Sequence, residues 1–457
     1  AGPHLKIENE KKDIPLPHDI FKNRDNSKGM DISEMENLEL INKKINSYKN
    51  RSIHAVSIYK NRSEDKASKH VISSIADDSE IGSATFDNID MLLKNINSNC
   101  DSNWKNISVK NRAEVLIKIS NEIESDPYEL IYYLMNEAGK TIQNSIDEIR
   151  EAVDFLRYYS NQMIGIEENG CELEGPTGES NILSYSAKGH FLCISPWNFP
   201  VAILIGQISA ALITGNKVTV KPSEHTCILG YIVIRKFHEN GVPLDALELV
   251  LGDAKHGDVL SKINHLDGVA FTGSLPTAKR IQNNLNQNQK EIIPLIAETG
   301  GINAMIVDSS ALLEQATDDI VRSAFDSSGQ RCSALRVLCI QDEIYNELLE
   351  MIKGNMEELK IGNPENLDTD IGPIINLASK NKLDKYIKDS VDKGFSVYQS
   401  EHDILESFVS PTIIEINKLN DLNEEQFGPI LHVLKFKSSK ISDLISEIND
   451  TGYGLTM

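Results

Sequence analysis

The sequence predicts an α/β protein built on parallel sheets, and two observations predict it. Between residues 190 and 296 short apolar runs of strand length alternate with helical patterns, and the rhythm resumes between 302 and 359. The chain is 457 residues long, too long for one simple core, so two or three domains are expected.

Taken in order, residues 1–37 mix charges with the prolines of IPLP and the turn-like NSKG and hold no period, as a linker or arm would. From 105 to 165 the period is helical. Val115, Leu116, Ile119 and Ile123 form one apolar stripe, Ile149, Val153 and Leu156 another, and Pro127 separates the helices. CELEGPTGESNILSYSAKG (171–189) alternates apolar and polar around a Gly-Pro-Thr-Gly turn and predicts a β-hairpin. There follow HFLCIS, a helix at 201–213, NKVTVKP, a helix near 226–240, LELVLG, a helix near 255–262 and DGVAFTG. The second unit reads INAMIVD as strand, 311–328 as helix, LRVLCI as strand and 343–359 as helix. The expected division is an arm (1–37), a first sheet domain (38–170 and 190–296), the hairpin (171–189) and a second α/β domain (297–457).

Composition excludes several classes. A net charge of −22 disfavours nucleic acid and anionic lipid, both of which call for clustered Lys and Arg. No run approaches the eighteen or so apolar residues of a membrane span; the most apolar stretch, 201–215, carries Gln207, Ser209 and Thr214 and reads as a core helix. AGPHLKIENEKKD lacks the apolar run of a signal peptide, so a reducing, cytoplasmic setting is the default. The six cysteines (Cys100, Cys171, Cys193, Cys227, Cys332, Cys339) form no CxxC pair, and no metal site is expected.

Parallel sheets place ligands at the carboxyl ends of their strands. Asn198 in PWNFP, Lys221 and Glu224 in KPSE, Gly273 and Ser274 in FTGS, and Glu298 in ETGG all follow predicted strands. Singly each has a plain reading: Asn198 bridges a turn, Lys221 and Glu224 form a solvated pair, and Ser274 caps a helix. Cys332 in SSGQRC reads equally as a buried, inert thiol. No GxGxxG follows any strand.

The order changes these odds. PWNFP, KPSE, FTGS, ETGG, GQRC and EQFGP (425–429) resemble the motifs of the aldehyde dehydrogenase superfamily in its own order, with Cys332 placed 34 positions after Glu298 as that family spaces them. The resemblance runs from about residue 40 to the end. Within the superfamily EAGKTIQNSIDEIREAVDFLRYYS (137–160), ETGGINAMIVDSSAL (298–312) and SSGQRCSALRVL (327–338) are most similar to the L-glutamate γ-semialdehyde (1-pyrroline-5-carboxylate) dehydrogenases, including those fused to a proline dehydrogenase. Residues 11–31 resemble the segment joining the two halves of such fusions.

The resemblance implies an aldehyde dehydrogenase-like fold: a parallel-sheet NAD-binding domain, an α/β catalytic domain and a hairpin oligomerisation flap. It implies Cys332 as nucleophile, Glu298 as general base and Asn198, with the Cys332 backbone N–H, as oxyanion donors. Lys221 and Glu224 would hold the adenosine ribose of NAD, Gly273 and Ser274 the pyrophosphate, and Glu425 the nicotinamide ribose. Glu151, Phe199 and Ser333 would border the aldehyde. A hydrolytic base disfavours transfer of the acyl group to coenzyme A or phosphate. Relatives continue past GYGLT through a Gly-rich loop for the substrate carboxylate and a final strand that joins a partner subunit in a homodimer. The expectation is therefore a truncated chain with anchor and flap incomplete, either active or a fragment that binds NAD without turnover.

Overall fold

The computed structural model describes residues 15–97, 102–169, 171–402, 407–422 and 424–457; Cys100 lies outside them. Among the described residues four sheets form. β1 (Ile53–Val56), β2 (Ser68–Ser73) and β3 (Glu80–Phe86) form a sheet in the order β1-β3-β2, and β4 (Cys171–Leu173) pairs antiparallel with β5 (Asn181–Leu183) as the predicted hairpin. β6 (His190–Ile194), β7 (Lys217–Lys221), β8 (Leu247–Leu249), β9 (Gly268–Thr272) and β10 (Leu295–Glu298) form an all-parallel sheet in the order β10-β9-β6-β7-β8. β11 (Asn303–Val307), β12 (Leu335–Gln341), β13 (Ser396–Gln399), β14 (Thr412–Ile416) and β15 (Ile430–Phe436) form the second large sheet in the order β11-β12-β15-β14-β13. Only β13 runs antiparallel there, at an edge.

These elements form where the patterns put them. The helix Val109–Ser125 opens on Ser108, whose hydroxyl accepts the N–H of Asn111 at 3.2 Å, and it buries Leu116, Ile119 and Ile123 with Val115 at the margin. It stops before Pro127, and a second helix begins at Tyr128. The helix Ala202–Ile213 is apolar almost all round and is buried accordingly, between β6 and the long helix Ile142–Asn169. Each residue of β7 and β12 is buried, as expected of strands covered on both faces.

The structure departs from expectation at four places. The sheet β1–β3 is not among the expected elements; it joins the first large sheet through Ile58, which exchanges backbone hydrogen bonds with Leu249 at 2.8 and 2.7 Å. The described part of the arm is docked: the Ser27 N–H and hydroxyl both donate to Asp154 at 2.8 Å, the Lys28 N–H donates to Glu124 at 2.8 Å, and a helix starts at Met35, before the expected boundary. The boundary at 296/297 falls inside β10, so Glu298 belongs to the first large sheet. The helix expected over 311–328 ends at Phe325, because Ser327 and Ser328 turn left-handed. Among the described residues no helix is long and apolar enough to cross a membrane.

Candidate active site

Two loops meet between the sheets, and one carries the thiol. Ser327, Ser328 and Gly329 hold φ of 53°, 56° and 63°, three successive left-handed residues just before Cys332. Non-glycine residues in this region cost about 1 kcal/mol or more each, so surrounding contacts must impose it. Asn144 donates to Asp326 at 2.6 Å and accepts the Ser327 hydroxyl at 2.7 Å, and the Ser328 hydroxyl donates to the Gly372 carbonyl at 2.6 Å. Gly329 must also be glycine for space, since a Cβ there would stand 2.2 Å from the Gly428 carbonyl oxygen.

Arg336 fastens this loop to EQFGP. Its guanidinium, almost fully buried, donates to the carbonyls of Gly329 (2.7 Å), Arg331 (2.9 Å) and Gly428 (3.2 Å) and pairs with Glu425 at 3.1 Å. Asn303 holds the other side, donating to the carbonyls of Cys332 (2.7 Å) and Ala334 (2.8 Å). Both lie inside stretches that carry the family resemblance, yet neither stands among the site residues that the sequence suggests. The one signal in the sequence is an arginine within the otherwise apolar LRVLCI.

Asn198 sits on the turn after β6, stiffened by Pro196 and Pro200. Its amide donates to the Gln330 carbonyl at 3.1 Å, which ties the turn to the thiol loop and leaves the second amide hydrogen for the cleft. A cleft of ≈ 480 Å³ brings together Asn198, Cys332, Glu298, Gly273, Ser274 and Glu425, with Tyr453 and Leu455 also on its wall. It adjoins a pocket of ≈ 290 Å³ lined by Lys221, Glu224 and Arg280, the two sharing Pro196, Trp197 and Thr272 to Ser274 as a common wall.

Lys221 is buried, donates to the Pro222 carbonyl at 3.1 Å and lies 3.8 Å from Glu224; burial pulls its ammonium down and Glu224 pulls it up. Ser274 precedes the helix Leu275–Asn288 but its side chain accepts no backbone N–H from it; its hydroxyl meets Thr277 at 3.0 Å instead. Pro276 has no N–H and that of Ala278 is taken by the Ser274 carbonyl at 3.0 Å, so the Leu275 and Thr277 amides are the ones open to an anionic group. Glu298 ends β10 exposed, its carbonyl accepting the Gly273 N–H at 3.0 Å. Glu425 approaches Gly300 so closely that a Cβ there would lie 1.8 Å from its Oε2; burial raises its carboxyl, with Arg336 opposing.

Glu151, Phe199 and Ser333 do not line this cleft. Glu151 reaches solvent, but its charge bears on Cys332; the protein packed around it and then the charge of Glu148 raise its carboxyl. Phe199 lies under Lys140, 4.2 Å from the ring centroid, and Ser333 is exposed beside the thiol.

The Cys332 thiol is raised above its ordinary value, first by burial, then by Glu425 and Glu151, with the Ser333 and Cys332 N–H groups opposing. Arg331, its sequence neighbour, is taken up by Asp326 at 3.0 Å and Ser327 at 3.1 Å. A raised thiol is protonated at neutral pH, and its thiolate appears only as pH climbs through the raised value. Iodoacetamide alkylation of Cys332 in the ligand-free protein should therefore show a midpoint above about 8.5 that falls in Glu425→Gln. A midpoint at or below that value would contradict the electrostatics described.

Fold and cleft together define a class: a protein of two parallel-sheet units with a thiol, a carboxylate and an amide around one cleft, continuous with a pocket and a free helix N-terminus. The aldehyde dehydrogenase family model matches residues 64–457, and the chain belongs to that family. The family generally uses NAD(P). The chain is 39% identical over 460 residues to the bifunctional protein PutA of Escherichia coli K12, covering 97% of this chain but 34% of that protein, so it spans about a third of that relative's length. It is 32% identical to a 1-pyrroline-5-carboxylate dehydrogenase of Staphylococcus haemolyticus, over 94% of this chain and 85% of the relative. Among solved structures, a Bradyrhizobium japonicum proline utilization A mutant superposes with a TM-score of 0.85 at 36% identity, over 97% of this chain and 42% of the other. A mutant of Thermus thermophilus 1-pyrroline-5-carboxylate dehydrogenase superposes with a TM-score of 0.86 at 25% identity, over 93% and 84%.

Proposed function

We propose that this chain catalyses the NAD-dependent oxidation of L-glutamate γ-semialdehyde, the open form of 1-pyrroline-5-carboxylate, to L-glutamate. The observation that carries the reading is the meeting of Cys332, Glu298 and Asn198 in one cleft that continues into the pocket of Lys221 and Glu224. The names of the relatives above supply the substrate.

An aldehyde carbon gives up hydride readily only after a lone-pair donor has added to it. Cys332 Sγ would form that bond as the thiolate, its proton having passed to solvent, while the carbonyl π pair moves onto oxygen. The resulting oxyanion would accept hydrogen bonds from the Asn198 amide and the Cys332 N–H, each worth about 3–4 kcal/mol by analogy with other oxyanion holes. Bound NAD supplies the hydride acceptor. Cys332 is then left as a thioester; Glu298 would take a proton from water as its oxygen attacks the acyl carbon, releasing glutamate and the thiol. Glu298's exposure suits a group that must meet water.

The residues present fit the dinucleotide. Ser274 leaves the Leu275 and Thr277 amides of its helix for the pyrophosphate, Lys221 and Glu224 stand at the end of β7 for the adenosine ribose, and Glu425 shares the cleft of the thiol for the nicotinamide ribose. A carboxylate at Glu224 repels a 2′-phosphate. Glu224→Gln should narrow the preference for NAD over NADP by about tenfold, read as the ratio of kcat/KM values; an unchanged ratio would remove Glu224 from cofactor selection. Glu151, Phe199 and Ser333 would border the aldehyde on the far side of the thiol.

The test is NADH formation from 1-pyrroline-5-carboxylate, compared with simple aliphatic aldehydes. Preferred turnover of the former supports the assignment, and absence of NADH with every aldehyde would defeat it.

A further inference from the structure

Glu148 has no place in the chemistry above, yet its side chain is fully buried beside that chemistry. One oxygen accepts the N–H of Val201 at 2.7 Å and of Ala202 at 3.2 Å; the other pairs with Lys140 at 2.9 Å. Val201 and Ala202 begin the helix Ala202–Ile213, which has no side-chain cap of its own. The Lys140 ammonium in turn lies 4.2 Å from the centre of the Phe199 ring. Both members of this pair therefore grip residues 199 to 202, directly after Asn198, and Pro200 between them transmits the restraint.

The same helix face grips the opposing loop. Asn144 and Glu148 are four residues apart in the helix Ile142–Asn169 and so share one face. Asn144 holds Asp326 and Ser327 of the thiol loop while Glu148 holds the Asn198 turn. The two loops touch each other through the Asn198 to Gln330 hydrogen bond. A buried ion pair contributes little net stability once desolvation is subtracted, so its placement here calls for another reason.

We propose that Glu148, clamped by Lys140, is a positioning residue: together with Asn144 it sets the Asn198 amide at the correct distance from Cys332. The inference rests on the oxidation proposed above, in which Asn198 stabilises the oxyanion. An oxyanion donor acts only if it is aimed before charge develops, and small displacements weaken it steeply. Releasing the restraint should therefore lower kcat and leave dinucleotide binding alone.

The experiment uses the full chain and the variants Glu148→Gln, Asn198→Ala and their combination. Glu148→Gln should lower kcat for the aldehyde by about tenfold or more, against the roughly 10²–10³ loss expected when an oxyanion donor is removed outright. Added to Asn198→Ala it should cost nothing further, because it acts through that residue. NAD affinity, measured by equilibrium titration, should stay within about twofold. The variant Lys140→Met/Glu148→Gln, which leaves no uncompensated charge, should keep the loss in kcat; its recovery would assign the effect to a stranded lysine and overturn the proposal. So would additive losses in the combined variant, or loss of NAD binding in parallel with kcat. A readout independent of turnover separates this inference from the function it rests on: amide exchange at Val201 and Ala202 should quicken in Glu148→Leu, which removes the accepting oxygen altogether. Unchanged exchange overturns the positioning role, whereas a wild-type protein that makes no NADH overturns the proposed oxidation.

Discussion

Replacing Cys332 with alanine is expected to reduce aldehyde-dependent NADH formation by at least about 10³-fold, since loss of a covalent nucleophile removes the path and not merely a contact. The fold should be indifferent. The side chain is half-buried, the hydrogen bonds that fix its loop come from Arg336, Asn303 and Asn144, and none uses the sulfur. The thermal midpoint should shift by less than about 2 °C. A variant that keeps more than about a tenth of the rate would assign the chemistry to another group.

The second large effect falls on stability. Arg336→Met should lower the unfolding free energy by about 3–5 kcal/mol, read from urea melts analysed with the wild-type slope. The guanidinium is 2% exposed, and its removal strands the Glu425 carboxylate together with the Gly329, Arg331 and Gly428 carbonyls. Combining Arg336→Met with Glu425→Leu should recover part of the loss, because no charge is then left uncompensated. A loss below about 1 kcal/mol for the single variant would mean that water or a rearranged loop satisfies these groups in its place.

The two kinds of residue differ in how they show themselves in sequence. β6, β7, β9 and β12 are legible because parallel strands covered on both faces are short and largely apolar or β-branched, and Asn198, Lys221, Ser274 and Glu298 are legible as residues at or just after strand ends, which the fold gathers around the cleft and its adjoining pocket. β2 hides because its residues are mostly exposed and polar, and its sheet is fixed by pairing across to Leu249. The helix before Cys332 overruns in sequence because nothing local forbids Ser327 and Ser328 from continuing it; contacts from Asn144 and Gly372, far away in the chain, turn them left-handed. Arg336 and Glu148 are silent for a related reason. Their partners are mostly backbone groups, which carry no residue identity, and the partners' positions emerge only after folding.

The proposed oxidation passes through a thioester on Cys332 that Glu298 would help water to release. The direct measurement is peptide mass spectrometry on Glu298→Gln, mixed with NAD and 1-pyrroline-5-carboxylate and quenched in acid. Slowed hydrolysis should leave a glutamyl adduct on the Cys332 peptide, absent when NAD is omitted. No adduct in the presence of NAD, or an adduct on any other residue, would contradict the proposed oxidation through Cys332.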